Sequence, residues 1–216
     1  MRTITTLLVI VLVRTFAVAQ SLPQQPLIPP HANTVKVVLF GHSWIVLMQG
    51  FQPWAFPNIP SNHVSVQGYG GYTCEMLIPP LRSSVPASTN AAFLMTATND
   101  VLENIPVDQH MACMQTIIGI LIGENPNMLI LASNVPPLGK NVKDHRSDIS
   151  QYNQAYLTLP QMYPNNVKVV DMWTPMVDVN GWAMANMFRD GVHFGTNGQD
   201  LVMGVIRDAL YSNLPQ

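Results

Sequence analysis

Apolar residues in this chain fall into short, nearly unbroken blocks separated by longer stretches with a helical period. Val35-Lys36-Val37-Val38-Leu39-Phe40 is interrupted only by Lys36. It lacks the in/out alternation of a half-exposed strand, so it reads as a strand buried on both faces. Val64-Ser65-Val66-Gln67, Ala91 to Thr96, Met128 to Ala132 and Val167 to Val170 are further strand candidates. Helix-length segments lie between them: Tyr72 to Leu81, Val107 to Ile122 and Asp148 to Met162, with Thr196 to Tyr211 at the end. In Val107 to Ile122 the apolar residues Met111, Met114, Ile117, Ile118, Leu121 and Ile122 share one helical face. Thr196 or Asn197 suits the cap of the last helix. Strands alternating with helices predict an α/β fold, a parallel sheet of about five strands covered on both faces as a three-layer α/β/α sandwich. Ligands of such sheets bind at the carboxyl ends of the strands.

Composition narrows the picture. Apolar residues make up 48% of the 216, enough for one well-buried core and a single domain over 34–216. Charged residues are 10%, the net charge is −2, and no two Lys or Arg are adjacent. Nucleic-acid or anionic-membrane binding therefore has no electrostatic basis. At the amino end, Arg2, the apolar run Ile4 to Val13 and Ala17-Val18-Ala19 form the three regions of a signal peptide over 1–19. Arg14 keeps the run well short of the roughly 20 residues a membrane span needs. The alternative is a buried N-terminal helix. Residues 20–33 carry four prolines up to Pro30 and read as an extended lead-in. Secretion or a periplasmic location follows if the peptide is cleaved before Gln20. Export would permit a Cys74–Cys113 disulfide, and two buried thiols are the other option. No Cys/His cluster has zinc-ligand spacing.

Four polar segments follow predicted strands or precede the last helix. They are Gly41-His42-Ser43-Trp44, Gly68 to Thr73, Ala97-Thr98-Asn99-Asp100 and Asp190-Gly191-Val192-His193. Together they contain what acyl transfer by a serine needs. Ser43 supplies a hydroxyl, His193 an imidazole base, and Asp190 a carboxylate to orient it. A Gly71 N–H and the Asn99 amide supply donors for an oxyanion. The bland alternatives are a helix cap for Ser43, a backbone-bonded buried histidine for His193, and turn roles for Asp190 and Asn99.

These segments, in order, resemble the conserved blocks of the SGNH (GDSL-type) hydrolases. Gly41-His42-Ser43 matches the nucleophile block, Gly71-Tyr72-Thr73 the oxyanion-glycine block, Ala97 to Asp100 the Gly-x-Asn-Asp block, and Asp190 to His193 the Asp-x-x-His block. Gly198, five residues past the histidine, also fits. The resemblance implies a flavodoxin-like fold and a serine esterase with Ser43, Asp190 and His193 catalytic and Gly71 and Asn99 at the oxyanion. It also implies small-molecule or carbohydrate ester substrates and no metal or organic cofactor. A small domain without large insertions favours a short acyl group such as acetyl over a lysophospholipid, and a non-catalytic glycan-binding module is the rival of another class. Two positions depart from the pattern: His42 stands for the usual aspartate and Ala97 for the usual glycine. His42 is expected to point away from the nucleophile, and Ala97 to strain its loop if that backbone needs a positive φ. An α/β-hydrolase is disfavoured by Ile45 two residues after Ser43, where its nucleophile elbow has glycine, and by Asp190 and His193 sharing one loop. Trp44, Phe51, Trp54 and Phe56, and the Met-rich stretch Met172 to Met187, either wall a substrate pocket or fill the core.

Overall fold

The computed structural model describes residues 32–50 and 55–214. The signal-peptide segment, most of the lead-in, and Phe51 and Trp54 lie outside these residues. The packed chain begins slightly before the expected boundary, since Ala32 in the turn Ala32–Thr34 is already buried.

Five strands form one all-parallel sheet: β1 Val37–Gly41, β2 Val64–Gly68, β3 Ala91–Met95, β4 Leu129–Ser133 and β5 Val167–Val170. Their spatial order is β2-β1-β3-β4-β5. Each predicted strand is found, and the lack of alternation has a direct cause. Every residue of β1 and of β3 is buried. In β1, Val37 and Leu39 enter one core, while Val38 and Phe40 enter the other.

Two helical layers supply those cores. On one face lie α1 Ser43–Val46 and the final helix α7 Thr196–Asn213, which contributes Val202, Met203, Ile206 and Leu210. On the other lie α2 Cys74–Ser84, α4 Val107–Glu124 and α5 Arg146–Tyr156. A Cys74–Cys113 disulfide joins α2 to α4, with Cα atoms 6.1 Å apart. The short α3 Thr98–Leu102 and α6 Leu159–Met162 complete the set. No helix among the described residues is long and apolar enough to cross a membrane.

Two local readings are corrected. The single helix expected over Asp148 to Met162 is split after Tyr156, because Pro160 has no N–H to give back and its ring crowds the preceding turn. The last helix is capped by Gly195 rather than by Thr196 or Asn197, with Thr196 as its first residue.

The strand order places a switch point between β1 and β3. The chain leaves β1 for β2 on one side and then crosses back to β3 on the other. That crevice, at the carboxyl ends of the two strands, is where such sheets bind ligands.

Candidate active site

Gly41 ends β1 against the end of β3. A Cβ there would lie 2.0 Å from the Met95 carbonyl oxygen, so only glycine fits. The next residue, His42, donates its backbone N–H to that same carbonyl at 3.2 Å. Ser43 then opens α1, at the switch point. The Ser43 amide donates to nothing among the described residues, as expected of a first-turn N–H.

The imidazole comes from a different element. Phe188 and Phe194 pair as an antiparallel bridge, and the Arg189 N–H donates to the His193 carbonyl at 2.9 Å. Asp190 to His193 form the tip of this small ribbon. The Asp190 carboxylate builds the tip with one oxygen, which accepts the Val192 and His193 backbone N–H groups at 2.9 and 2.6 Å. Its other oxygen accepts His193 Nδ1–H at 2.8 Å. With Nδ1 committed as donor, Nε2 presents a lone pair to Ser43 Oγ, 3.1 Å away. The three residues proposed from the sequence are thus brought into one hydrogen-bonded line.

Burial alone would raise the Asp190 pKa. The backbone N–H and imidazole of His193, the Val192 N–H and the imidazolium charge outweigh it and hold the carboxyl at about 2. The site is open: the His193 and Asp190 side chains are 30% and 47% exposed.

A brace on this ribbon went unread in the sequence. The Gly139 N–H donates to the Gly191 carbonyl at 2.7 Å, and the Asn141 amide to the Asp190 carbonyl at 3.0 Å. Gly191 has φ +83, and a Cβ on it would lie 2.2 Å from Asn141 Oδ1. The signal was present as Pro136-Pro137-Leu138-Gly139 after β4, but it carries no reactive side chain.

Gly71 follows β2 with φ +76, a backbone that favours glycine, and open space around its Cα. Its N–H donates to nothing among the described residues. Asn99, at the start of α3, gives one amide hydrogen to the Tyr72 carbonyl at 2.8 Å. An amide nitrogen has two hydrogens, so one is left for a substrate. Ala97 has φ −95, so the alanine brings no left-handed strain.

His42 does point into the protein. It is fully buried, and neither ring nitrogen has a partner among the described residues. Burial, then the nearby His193 and His110, push its pKa down to about 3. Its ring lies edge-on to Trp44, which packs on Phe194 at 4.3 Å between centroids. The residues flanking Ser43 and His193 therefore touch through aromatic faces. Trp44 and Phe56 are core residues, as are Met172 and Met176. Met184 and Phe188 instead line a cavity of about 330 Å³ beside the ribbon, with Lys140, Asp178 and Arg189.

Among the described residues there is one metal-like cluster: Cys74, Asp100 and His110 bring ligand atoms within 4.8 Å of one another. The Cys74 sulfur is committed to the disulfide, and Asp100 and His110 are turned on each other, which leaves no ligand set for an ion.

A parallel sheet with a serine, an imidazole and a carboxylate aligned at its switch point has the make-up of a serine acyl-transfer site. The sequence model of the GDSL-like lipase/acylhydrolase family matches residues 43–201, and the chain belongs to that family of ester hydrolases. The fold is similar to that of a GDSL-like lipase from Bacteroides thetaiotaomicron VPI-5482 (TM-score 0.72, 20% identity, 86% of this chain and 92% of that one). It is also similar to a carbohydrate esterase of family 3 from Talaromyces cellulolyticus (TM-score 0.63, 18% identity, 82% and 97%). A mutant acetyl esterase solved with an acetate ion gives the same TM-score of 0.63 at 18% identity, covering 82% and 97%. No curated protein matches the sequence.

Proposed function

We propose that this chain is a secreted serine esterase that removes short acyl groups, acetyl first among them, from hydroxyls such as those of carbohydrates. The observation that carries the reading is the unbroken line Asp190–His193–Ser43. Ser43 Oγ attacks the ester carbonyl while His193 Nε2 takes its proton. Asp190, charged throughout, orients the imidazole and stabilises the imidazolium. The Gly71 and Ser43 amides and the second hydrogen of Asn99 hold the oxyanion. His193 returns the proton to the departing alcohol, then activates the water that frees the acid and Ser43. No cofactor enters these steps.

The open setting of the line suits a small acyl group. The adjoining cavity offers Lys140, Asp178 and Arg189 rather than an apolar channel, which favours a polar alcohol over a lipid tail. Two observations support export: the 1–19 pattern, and a disulfide of the kind that persists in oxidising compartments.

The test is hydrolysis of p-nitrophenyl esters from acetate to laurate by the chain from Gln20, beside Ser43→Ala. Activity greatest on acetate or butyrate and lost in Ser43→Ala is expected. A laurate optimum would overturn the short-acyl assignment, and equal rates with Ser43→Ala would overturn the catalytic one in favour of a glycan-binding module.

A further inference from the structure

Behind the oxyanion donors runs a buried polar chain that the Ser43–His193–Asp190 line does not use. Asp100, beside Asn99, is 1% exposed. One of its oxygens accepts the Cys74 backbone N–H at 2.8 Å, and the other meets Nδ1 of the equally buried His110. His110 Nε2 lies 2.9 Å from the Tyr156 hydroxyl, which lies 3.3 Å from Thr96 Oγ1 just past β3. Every group in this chain is satisfied by the next, a costly arrangement to leave half-made in a dry interior.

What Asp100 grips is the end of the segment that carries Gly71. Between β2 and α2 that segment is pinned at three points. The Tyr69 N–H donates to the Gly41 carbonyl at 2.9 Å, the Asn99 amide to the Tyr72 carbonyl at 2.8 Å, and the Cys74 N–H to Asp100. Two of the pins come from adjacent residues on α3. The Cys74 N–H belongs to the first turn of α2, where no helical carbonyl is available to it. We propose that Asp100, held in place by His110, is a positioning residue of the oxyanion site: by fixing the first turn of α2 it sets the Gly71 amide and, through Tyr72, the rotamer of Asn99.

The proposal rests on the serine-esterase reading for its kinetic consequence, but not for its structural one. The disulfide also holds Cys74, so the two anchors must be separated. Asp100→Ala removes the acceptor and keeps the disulfide. The double variant Cys74→Ser, Cys113→Ser removes the disulfide and keeps the N–H donor. Asp100→Ala is expected to lower kcat on p-nitrophenyl acetate by roughly 10–100-fold with KM nearly unchanged, as for loss of transition-state donors. Asp100→Asn, whose carbonyl still accepts the Cys74 N–H, restores most of that loss. The double serine variant loses thermal stability with little change in kcat. Hydrogen exchange in Asp100→Ala speeds up at residues 71–74 and not in β1 or β3.

A folded Asp100→Ala enzyme with wild-type kcat and exchange overturns the proposal. So do kcat losses that simply follow Tm in both variants. If Asp100→Ala does not fold, His110→Gln takes its place, with a several-fold fall in kcat expected and an unchanged kcat overturning the idea. Should the wild-type chain hydrolyse no ester, the esterase reading fails by itself, and the exchange comparison still decides whether Asp100 fixes this segment.

Discussion

His42 is an imidazole with no hydrogen bond among the described residues, no solvent and two other histidines near it. Its pKa of about 3, against an ordinary value near 6.5, makes it a liability in acid. Above pH 6.5 it is neutral in folded and unfolded chains and contributes nothing to pH dependence. Between about 6.5 and 3 the unfolded chain binds a proton there that the folded chain refuses, so stability falls as pH falls through that window. His42→Leu is expected to flatten the decline of Tm between pH 6.5 and 4 relative to the wild type. Parallel curves for the two proteins would contradict the assignment. Asp190 has the same sign in a lower window. With its folded pKa held down to about 2, its contribution is present above the ordinary carboxylate range and disappears only as pH falls toward 2. The acid limb of kcat/KM above pH 4 should therefore follow one ionisation, and Asp190→Asn should lower kcat by roughly 10²–10⁴-fold, because the imidazole loses its tautomer-fixing acceptor. Two ionisations above pH 4 in the wild-type profile would count against this. The side chains of this site were legible because acyl transfer restricts the residue types it uses. The burial of His42 was only half legible: its position beside a strand end implied that it points away from Ser43, but not that it would be fully buried with no partner among the described residues.

At the scale of elements, the strands could be read because a sheet covered on both faces demands continuous apolar residues. The helix boundary at Tyr156 was missed because periodicity persists past Pro160, while the backbone cannot follow it. Glycines were legible as motif members but not as close approaches. Gly41 lets β1 and the end of β3 come together, and that contact fixes where Ser43 starts α1. Gly41→Ala would push a methyl into the Met95 carbonyl, so it should lower Tm and kcat together. Gly71→Ala meets no neighbour and changes only a left-handed backbone, at a cost of about 1 kcal/mol. It should leave the fold nearly as stable while reducing kcat. Circular-dichroism melts and p-nitrophenyl acetate kinetics on the two variants check this contrast. A Gly71→Ala protein with full activity would remove that amide from the oxyanion site.

For the whole molecule, the sequence implied the layers but not their assignment. Nothing in the helical periodicities says that α7 shares a face with α1 while α2, α4 and α5 take the other. That sorting follows from the right-handed crossovers of parallel strands. It explains why Cys74 and Cys113, 39 residues apart, end on neighbouring helices of one layer. Cross-linking a loop of that length removes entropy from the unfolded chain worth about 4 kcal/mol. For a domain of this size, that corresponds to a Tm loss of roughly 8–16 °C. Thermal melts of the oxidised protein, the reduced protein and the double serine variant should show that drop in the last two. Because the bridge lies in the layer opposite α7 and does not touch Ser43, His193 or Asp190, activity at 25 °C should survive in the double serine variant while its half-life at elevated temperature shortens. Equal melts with and without the bridge would mean that the α2–α4 packing already holds the layer, and that the cysteines add nothing to stability.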